Sequence, residues 1–321
     1  MTNENPVIAF TFRLRVKAFF RQLFWWGAGL LAPFQPVSRY RKWSERALQQ
    51  RGIHRQVLEA DGFHIVYWKG GKGPVLLMLH GFNNDAVLTY HVEMRAFCKH
   101  YTVVVPDLLW FGESFSNHEP NVQTQRLAIE ALLRSLKVSD FSLLGQSYGG
   151  FLALDLVCSN PELRIDKVCF ANCPGPVFDK LLVKKVCQRF LVNQLHELFV
   201  IEDHRTLQRL LDLVSMFDTR IPNKMLQQMF VNTSPEMRMK HRALMNDLLH
   251  REVDPSVLDR LNGMDCCVVM GAHDELFFLS EGEKFAKAIN AELLVLPHSG
   301  HAPQFDDRSS FVRTLKVFFC D

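Results

Sequence analysis

The chain has 321 residues, 48% hydrophobic and 22% charged, with 17 Gly and 14 Pro, which excludes a disordered or collagen-like protein. That length suits one large α/β domain carrying an insertion, and a mean hydropathy of −0.03 excludes a polytopic membrane protein. The net charge of +3 conceals an asymmetry: residues 1–55 carry ten Lys/Arg against two acids, net +8, and the rest carries 27 basic and 32 acidic side chains, net −5.

A basic terminus on an acidic body is drawn to an anionic surface, either lipid or nucleic acid. Phe19, Phe20, Leu23, Phe24, Trp25, Trp26, Leu30 and Leu31 lie among the cations, and that mixture belongs to interfacial helices. Residues 10–35 are therefore expected to meet a membrane surface, with no nucleic-acid partner. The uncharged stretch Gln22–Ser38 has 17 residues and is spoiled by Pro33, Gln35, Pro36 and Ser38, short of the about 20 apolar residues of a spanning helix. An interfacial helix is the first reading and a single-span anchor the second. A helix packed on the body with a solvated basic face is the plain structural alternative. Arg21 interrupts the apolar region and no small-x-small site follows Leu31, which argues against a signal peptide.

From about residue 54 the pattern turns strand-like. Val57–Ala60, Asp61-Gly62 and Phe63–Lys69 read as a hairpin about a DG turn. Short apolar runs follow at Val75–Leu79, Tyr101–Val105, Phe141–Leu144, Val168–Ala171, Cys266–Met270 and Leu293–Leu296, as expected of strands buried on both faces. Helical patterns such as Thr124–Leu136 and Phe151–Cys158 alternate with them, which predicts a mostly parallel, doubly wound α/β sheet. Between about Gly175 and Leu261 the alternation stops in favour of Leu-, Met- and Phe-rich helical pattern. The expected organisation is an N-terminal segment at 1–53, a core at 54–174 and 262–321, and a helical cap inserted at 175–261.

The eight cysteines form no CxxC and mostly sit in apolar runs. They read as reduced core residues in a reducing compartment, with no zinc site. The expected location is membrane-associated, with the active domain in the cytoplasm.

Gly145-Gln146-Ser147-Tyr148-Gly149 matches G-x-S-x-G, led in by the apolar strand FSLLG and out by the helix FLALDLV. That context defines a nucleophile elbow, whose tight turn exposes the Ser147 hydroxyl and aims a helix N-terminus at developing negative charge. A serine nucleophile needs a base, and the base an orienting acid, in the chain order Ser, Asp/Glu, His. Asp274 follows the strand CVVMG and His301 follows the strand LVLP, both at the carboxyl edge that holds Ser147. His273 and Glu275 flank Asp274 and point elsewhere. His298 competes with His301 but lies outside the SGH loop. Asp107 precedes Ser147 and is expected to bond loop backbone. The oxyanion donors are expected to be the N–H groups of Tyr148 and of Phe82, in the loop His80-Gly81-Phe82-Asn83. His80 is expected to be structural.

HGF at 80–82, PDLLWFGES at 106–114, GQSYGG at 145–150, GAHDELF at 271–277 and SGHAPQFD at 299–306 together resemble the α/β-hydrolase superfamily over residues 60–320. PDLLWFGES and GHAPQ are similar to the membrane-associated monoacylglycerol-lipase-like serine hydrolases. The resemblance implies an α/β-hydrolase fold and a catalytic triad of Ser147, Asp274 and His301. It also implies oxyanion donors on Phe82 and Tyr148, no cofactor, and an N-terminal membrane segment. Gln146 stands where lipases more often have His, and the short HGF loop lacks the extra glycines that go with bulky tertiary-alcohol esters. Dehalogenases and epoxide hydrolases of the superfamily use an Asp nucleophile, so Ser147 argues against both. The function expected is hydrolysis of a lipid-like ester such as monoacylglycerol. The alternatives are a carbon–carbon bond hydrolase or acyltransferase with the same triad, or a non-enzymatic binding protein, which the intact triad disfavours.

Overall fold

The computed structural model describes residues 36–175, 180–216, 221–230, 234–251 and 257–320. Residues 10–35, expected to meet the membrane, lie outside them. Helix α1 (Pro36–Gln49) leads into the antiparallel hairpin β1 (His54–Ala60) and β2 (Phe63–Gly71). Asp61 and Gly62 both adopt positive φ, 53° and 77°, the backbone of the DG turn whose twist matches the flanking strands.

Next come β3 (Val75–Leu79), α2 (Ala86–Phe97), β4 (Thr102–Pro106) and the two-residue β5 (Phe115–Ser116). They are followed by α3 (Val122–Leu136), β6 (Asp140–Gln146), α4 (Tyr148–Ser159) and β7 (Arg164–Ala171). Among the described residues, β7 and β8 are separated by helices α5 (Lys180–Phe190), α6 (His196–Phe199), α7 (His204–Val214), α8 (Asn223–Phe230), α9 (Pro235–His250) and α10 (Val257–Leu261), with no strand. The core pattern resumes with β8 (Asp265–Gly271), α11 (Leu279–Ala288), β9 (Glu292–Leu296), α12 (Pro303–Asp306) and α13 (Arg308–Cys320).

The sheet runs in the order β1-β2-β4-β3-β6-β7-β8-β9, with β5 off this path against β2. β3 through β9 pair in parallel along it, and β2 meets β4 antiparallel. Alternating residues of β3, β4 and β6–β8 feed two cores, whereas the edge strands β1 and β9 are only partly buried, Val295 being 42% exposed. Leu77, Leu79, Val268 and Met270 face α3, α4 and α11, while Leu76, Met78, Cys267 and Val269 face α1, α2 and α13. Burial on both faces explains why these strands read as unbroken apolar runs. The element β5 has no such run, and its pairing with β2 was not legible.

The chain leaves β3 toward β4 on one side and returns to β6 on the other, so β3 and β6 flank the point where strand order reverses. Loops at their carboxyl ends open the crevice in which ligands of doubly wound sheets bind. Helix α1 lies against α2 and α8. It is held by Arg41, whose Nη1 is 2.7 Å from Asp85 Oδ2, while Asp85 Oδ1 caps α2 by accepting from the Val87 and Leu88 N–H groups.

Candidate active site

Ser147 lies between β6 and α4 with φ 53° and ψ −118°, a conformation that costs a non-glycine residue free energy and needs firm support. The support is backbone packed against backbone. A Cβ on Gly145 would lie 2.4 Å from the Gly149 carbonyl oxygen, and one on Gly149 would lie 2.1 Å from that of Leu79. Both glycines of the motif are thus demanded by close approach. The Ser147 N–H donates to the Ala171 carbonyl at 2.9 Å, which ties the turn to the end of β7.

Asp274 follows β8 and His301 follows β9, and the structure brings both to Ser147. His301 Nε2 is 2.8 Å from Ser147 Oγ, and His301 Nδ1 is 2.9 Å from Asp274 Oδ2. A carboxylate only accepts, so Nδ1 carries the proton and leaves Nε2 free to take one from the hydroxyl. Asp274 Oδ1 accepts from the Leu276 and Phe277 N–H groups at 2.9 Å each, fixing the carboxylate plane. Ser147, Asp274 and His301 are 8%, 4% and 5% exposed, so the relay sits in a place from which most water is excluded.

His301, not His298, holds the hydrogen bond to Ser147 Oγ, and Glu275 pairs with Arg189 at the surface. Asp107 accepts from the Ala86 N–H at 2.9 Å and the Glu113 N–H at 3.1 Å. Burial, followed by the charge of Asp85, pushes its carboxyl up to about 7.

Phe82 belongs to the loop after β3. A Cβ on Gly81 would lie 3.4 Å from Ser147 Cβ and 3.8 Å from its Oγ, so this loop runs beside the hydroxyl. His80 is fully buried and satisfied on both nitrogens: Nδ1 donates to the Gly81 carbonyl at 2.8 Å, and Nε2 accepts from the Leu108 N–H at 2.9 Å. Burial lowers its pKa to about 4, which keeps the ring neutral at pH 7. By holding the Gly81 carbonyl, His80 fixes the plane of the peptide whose other end is the Phe82 N–H. Tyr148, at the first position of α4, follows Ser147 directly.

Sequence reasoning did not single out three neighbours. Asn172 Nδ2 donates to Asp274 Oδ2 at 2.9 Å and to the Gly300 carbonyl at 3.1 Å, joining the acid to the histidine loop. It closes β7 as Ser147 closes β6, so its place at the carboxyl edge was a readable signal. Asp306 has a bridging role: Oδ2 accepts from Gly300 N at 2.8 Å and Met216 N at 3.1 Å, and Oδ1 from the Ser215 hydroxyl at 2.8 Å. The Ala302 N–H donates to the Val214 carbonyl at 2.9 Å beside it. The histidine loop is therefore bonded to the segment after α7, which no sequence spacing announces. His241 of α9 packs on Phe111 and Phe82. Gln146, noted as a departure, donates through Nε2 to Gln304 Oε1 at 2.7 Å and pins α12 under the elbow.

The surroundings are aromatic. The Phe82 ring meets Phe111, Tyr148 and Phe199 at 4.8, 5.4 and 6.0 Å, and Phe277 meets the His301 ring at 5.2 Å. Asn83 Nδ2 donates to the Phe199 carbonyl at 2.5 Å, so the β3 loop touches α6.

The model of the α/β hydrolase fold family matches residues 74–308. A protein of Haemophilus influenzae named as an esterase/lipase is 33% identical over 103 residues, 32% of this chain and 36% of its own length. The chain thus spans about a third of that relative. A 2-hydroxy-6-oxo-6-phenylhexa-2,4-dienoate hydrolase of Burkholderia cepacia is 26% identical over 273 residues, 81% of this chain and 93% of that one. Among solved structures, a bacterial membrane phospholipase A superposes with a TM-score of 0.76 at 20% identity, covering 95% of this chain and 98% of that one. The family match extends over most of the chain and includes every strand from β3 to β9, and the sheet order and elbow agree with it: this chain belongs to the α/β-hydrolase fold family.

Proposed function

We propose that this hydrolase is a serine ester hydrolase acting on a lipid-like ester, with monoacylglycerol as the substrate to test first. The observation that carries the reading is the unbroken relay from Ser147 Oγ through His301 to Asp274, at 2.8 and 2.9 Å. His301 takes the Ser147 proton as the hydroxyl attacks the ester carbonyl. Asp274 steadies the imidazolium that forms. The Phe82 and Tyr148 N–H groups receive the developing oxyanion, aided by the N-terminus of α4. Collapse expels the alcohol, which takes its proton from His301, and leaves the acyl group on Ser147. His301 then draws a proton from water, which attacks the acyl-enzyme and frees the acid.

Membrane association is part of the same reading. Helix α1 supports it: Lys42, Trp43 and Arg46 lie on one exposed face, with Trp43 54% exposed and stacked 5.9 Å from Tyr40, itself 44% exposed. The helix's one acid, Glu45, is engaged by Arg41 at 3.2 Å. No helix among the described residues is long and apolar enough to cross a membrane.

One observation favours a second reading. The Burkholderia relative, matched over most of both chains, is named for a hydrolase of a dienoate, in which the bond cleaved joins two carbons. The same serine relay serves that chemistry or, with an alcohol in place of water, acyl transfer. The test is a panel of monoacylglycerols and meta-cleavage dienoates with wild type and Ser147→Ala. The ester reading expects turnover of monoacylglycerol, cut on the order of 10⁴-fold by the substitution. Turnover of the dienoate alone would overturn it in favour of carbon–carbon cleavage.

A further inference from the structure

His241 sits on α9, in the insertion between β7 and β8, and is 5% exposed. Its ring stacks on Phe111, with centroids 4.6 Å apart and planes at 14°, and meets Phe82 edge-on at 5.5 Å. Nε2 is 2.7 Å from the Trp110 carbonyl oxygen. A carbonyl only accepts, so Nε2 carries the ring proton and donates. Burial lowers the pKa of the ring, and the neutral form leaves Nδ1 as a bare acceptor. Nδ1 is buried and has no hydrogen-bond partner among the described residues. An acceptor stripped of water with nothing in return destabilises the protein unless a ligand supplies the donor.

Its position gives that orphan a use. Trp110, whose carbonyl fixes the ring, has φ 65°, a costly conformation for a large side chain, so the backbone is bent at the residue that orients His241. The Phe82 ring lies against His241 on one side, and the Phe82 N–H belongs to the loop that runs beside the Ser147 hydroxyl. The His241 ring thus packs on the residue whose N–H belongs to that loop, among aromatic neighbours. Because Nδ1 can only accept, the group it meets must be a donor. Fatty acyl chains have none, whereas the alcohol half of a polyol ester carries free hydroxyls next to the ester bond.

Building on the ester-hydrolase reading, we infer that His241 Nδ1 accepts a hydrogen bond from a free hydroxyl of the substrate's alcohol portion, so that the site selects polyol monoesters over simple alkyl esters of the same acid. His241 is on this account a specificity residue of the head-group subsite, contributed by the helical insertion rather than by the sheet.

The test compares kcat/KM for a 1-monoacylglycerol and for the propyl ester of the same acid, which keeps the carbon skeleton and removes both hydroxyls. Wild type is expected to favour the monoacylglycerol about tenfold or more. His241→Gln retains a donor where Nε2 stood, so it can still bond the Trp110 carbonyl, and it loses Nδ1; the preference should collapse toward unity. His241→Asn keeps a polar group near the place of Nδ1 and should retain part of it. Equal rates on the two esters in wild type, or the same ratio in His241→Gln as in wild type, would overturn the inference. A measurement on the unaltered protein is independent of variant folding. With ¹⁵N-labelled histidine, the His241 Nδ1 resonance should move on adding a monoalkylglycerol ether and stay still with the matching propyl ether; no difference between the two overturns the inference. Fluorophosphonate labelling of Ser147 separates the two failures. A wild type that does not label sinks the ester-hydrolase reading itself, whereas a labelled enzyme with no hydroxyl preference sinks only the role of His241.

Discussion

Asn172, at the end of β7, has φ 47° and donates through one amide nitrogen to both Asp274 Oδ2 and the Gly300 carbonyl. Asparagine tolerates that left-handed conformation better than most residues, and its side chain ties the acid to the loop that carries the histidine. Asn172→Ala removes the tie and strains the backbone. The expected result is a kcat lowered about tenfold with KM little changed, and a loss of about 1 kcal/mol in stability. Asn172→Gly relieves the backbone but not the missing donor, so kcat should stay low while the urea midpoint recovers. A kcat unchanged in both would remove Asn172 from the relay. The residues of the relay were legible in the sequence because each closes a strand at one sheet edge. Asn172 stands in the same place, a signal open to reading, and was passed over because a serine relay calls for an acid and a histidine at the strand ends rather than for an amide that ties them.

At the scale of elements, Glu93 of α2 is fully buried, 3.6 Å from Arg308 Nε of α13, and neither of its oxygens has a hydrogen-bond partner among the described residues. Burial, only partly opposed by the Arg308 charge, raises its pKa to about 7 from an ordinary 4.5. In the pH range between those values the folded protein holds a proton that the unfolded chain has lost. Its contribution is therefore complete below about pH 4.5 and lost as pH rises to about 7. Glu93→Gln imitates the protonated form at every pH. Relative to wild type, the variant should gain stability on the order of 3 kcal/mol between pH 4.5 and 7.5, read from urea midpoints. A difference that does not vary with pH would show that Glu93 stays ionised against Arg308. The elements themselves were readable where one physical signal dominated. The DG hairpin declared its turn, and strands β3, β4 and β6–β8 declared burial on both faces, whereas the apolar run of β9 belongs to an edge strand with Val295 42% exposed, so the expected double burial fails there. The bonds that bind the histidine loop to the segment after α7, through Asp306 and Ala302, are side-chain and loop contacts between distant stretches of chain and have no periodicity to read.

The whole molecule pairs a net +8 over residues 1–55 with a net −5 beyond them. Helix α1 continues the basic segment and is fastened to the body by the Arg41–Asp85 pair at 2.7 Å, so its outward cations and Trp43 have a fixed relation to the sheet. Replacing Lys42 and Arg46 together by Glu changes the charge of that face by four. Sedimentation with vesicles containing anionic lipid should show binding weakened about tenfold or more, each basic residue near such a surface contributing about 1 kcal/mol. Hydrolysis of a short soluble ester by the double variant should match wild type. Equal sedimentation of the two proteins would place the contact elsewhere on the molecule.

The proposed function depends on Ser147 being the nucleophile that His301 activates. The most direct measurement is to treat the full-length protein with a fluorophosphonate and locate the adduct by peptide mass mapping. The account predicts a single modified residue, Ser147, with labelling abolished by Ser147→Ala and strongly slowed by His301→Ala. An adduct on another residue, or undiminished labelling of Ser147→Ala, would contradict it.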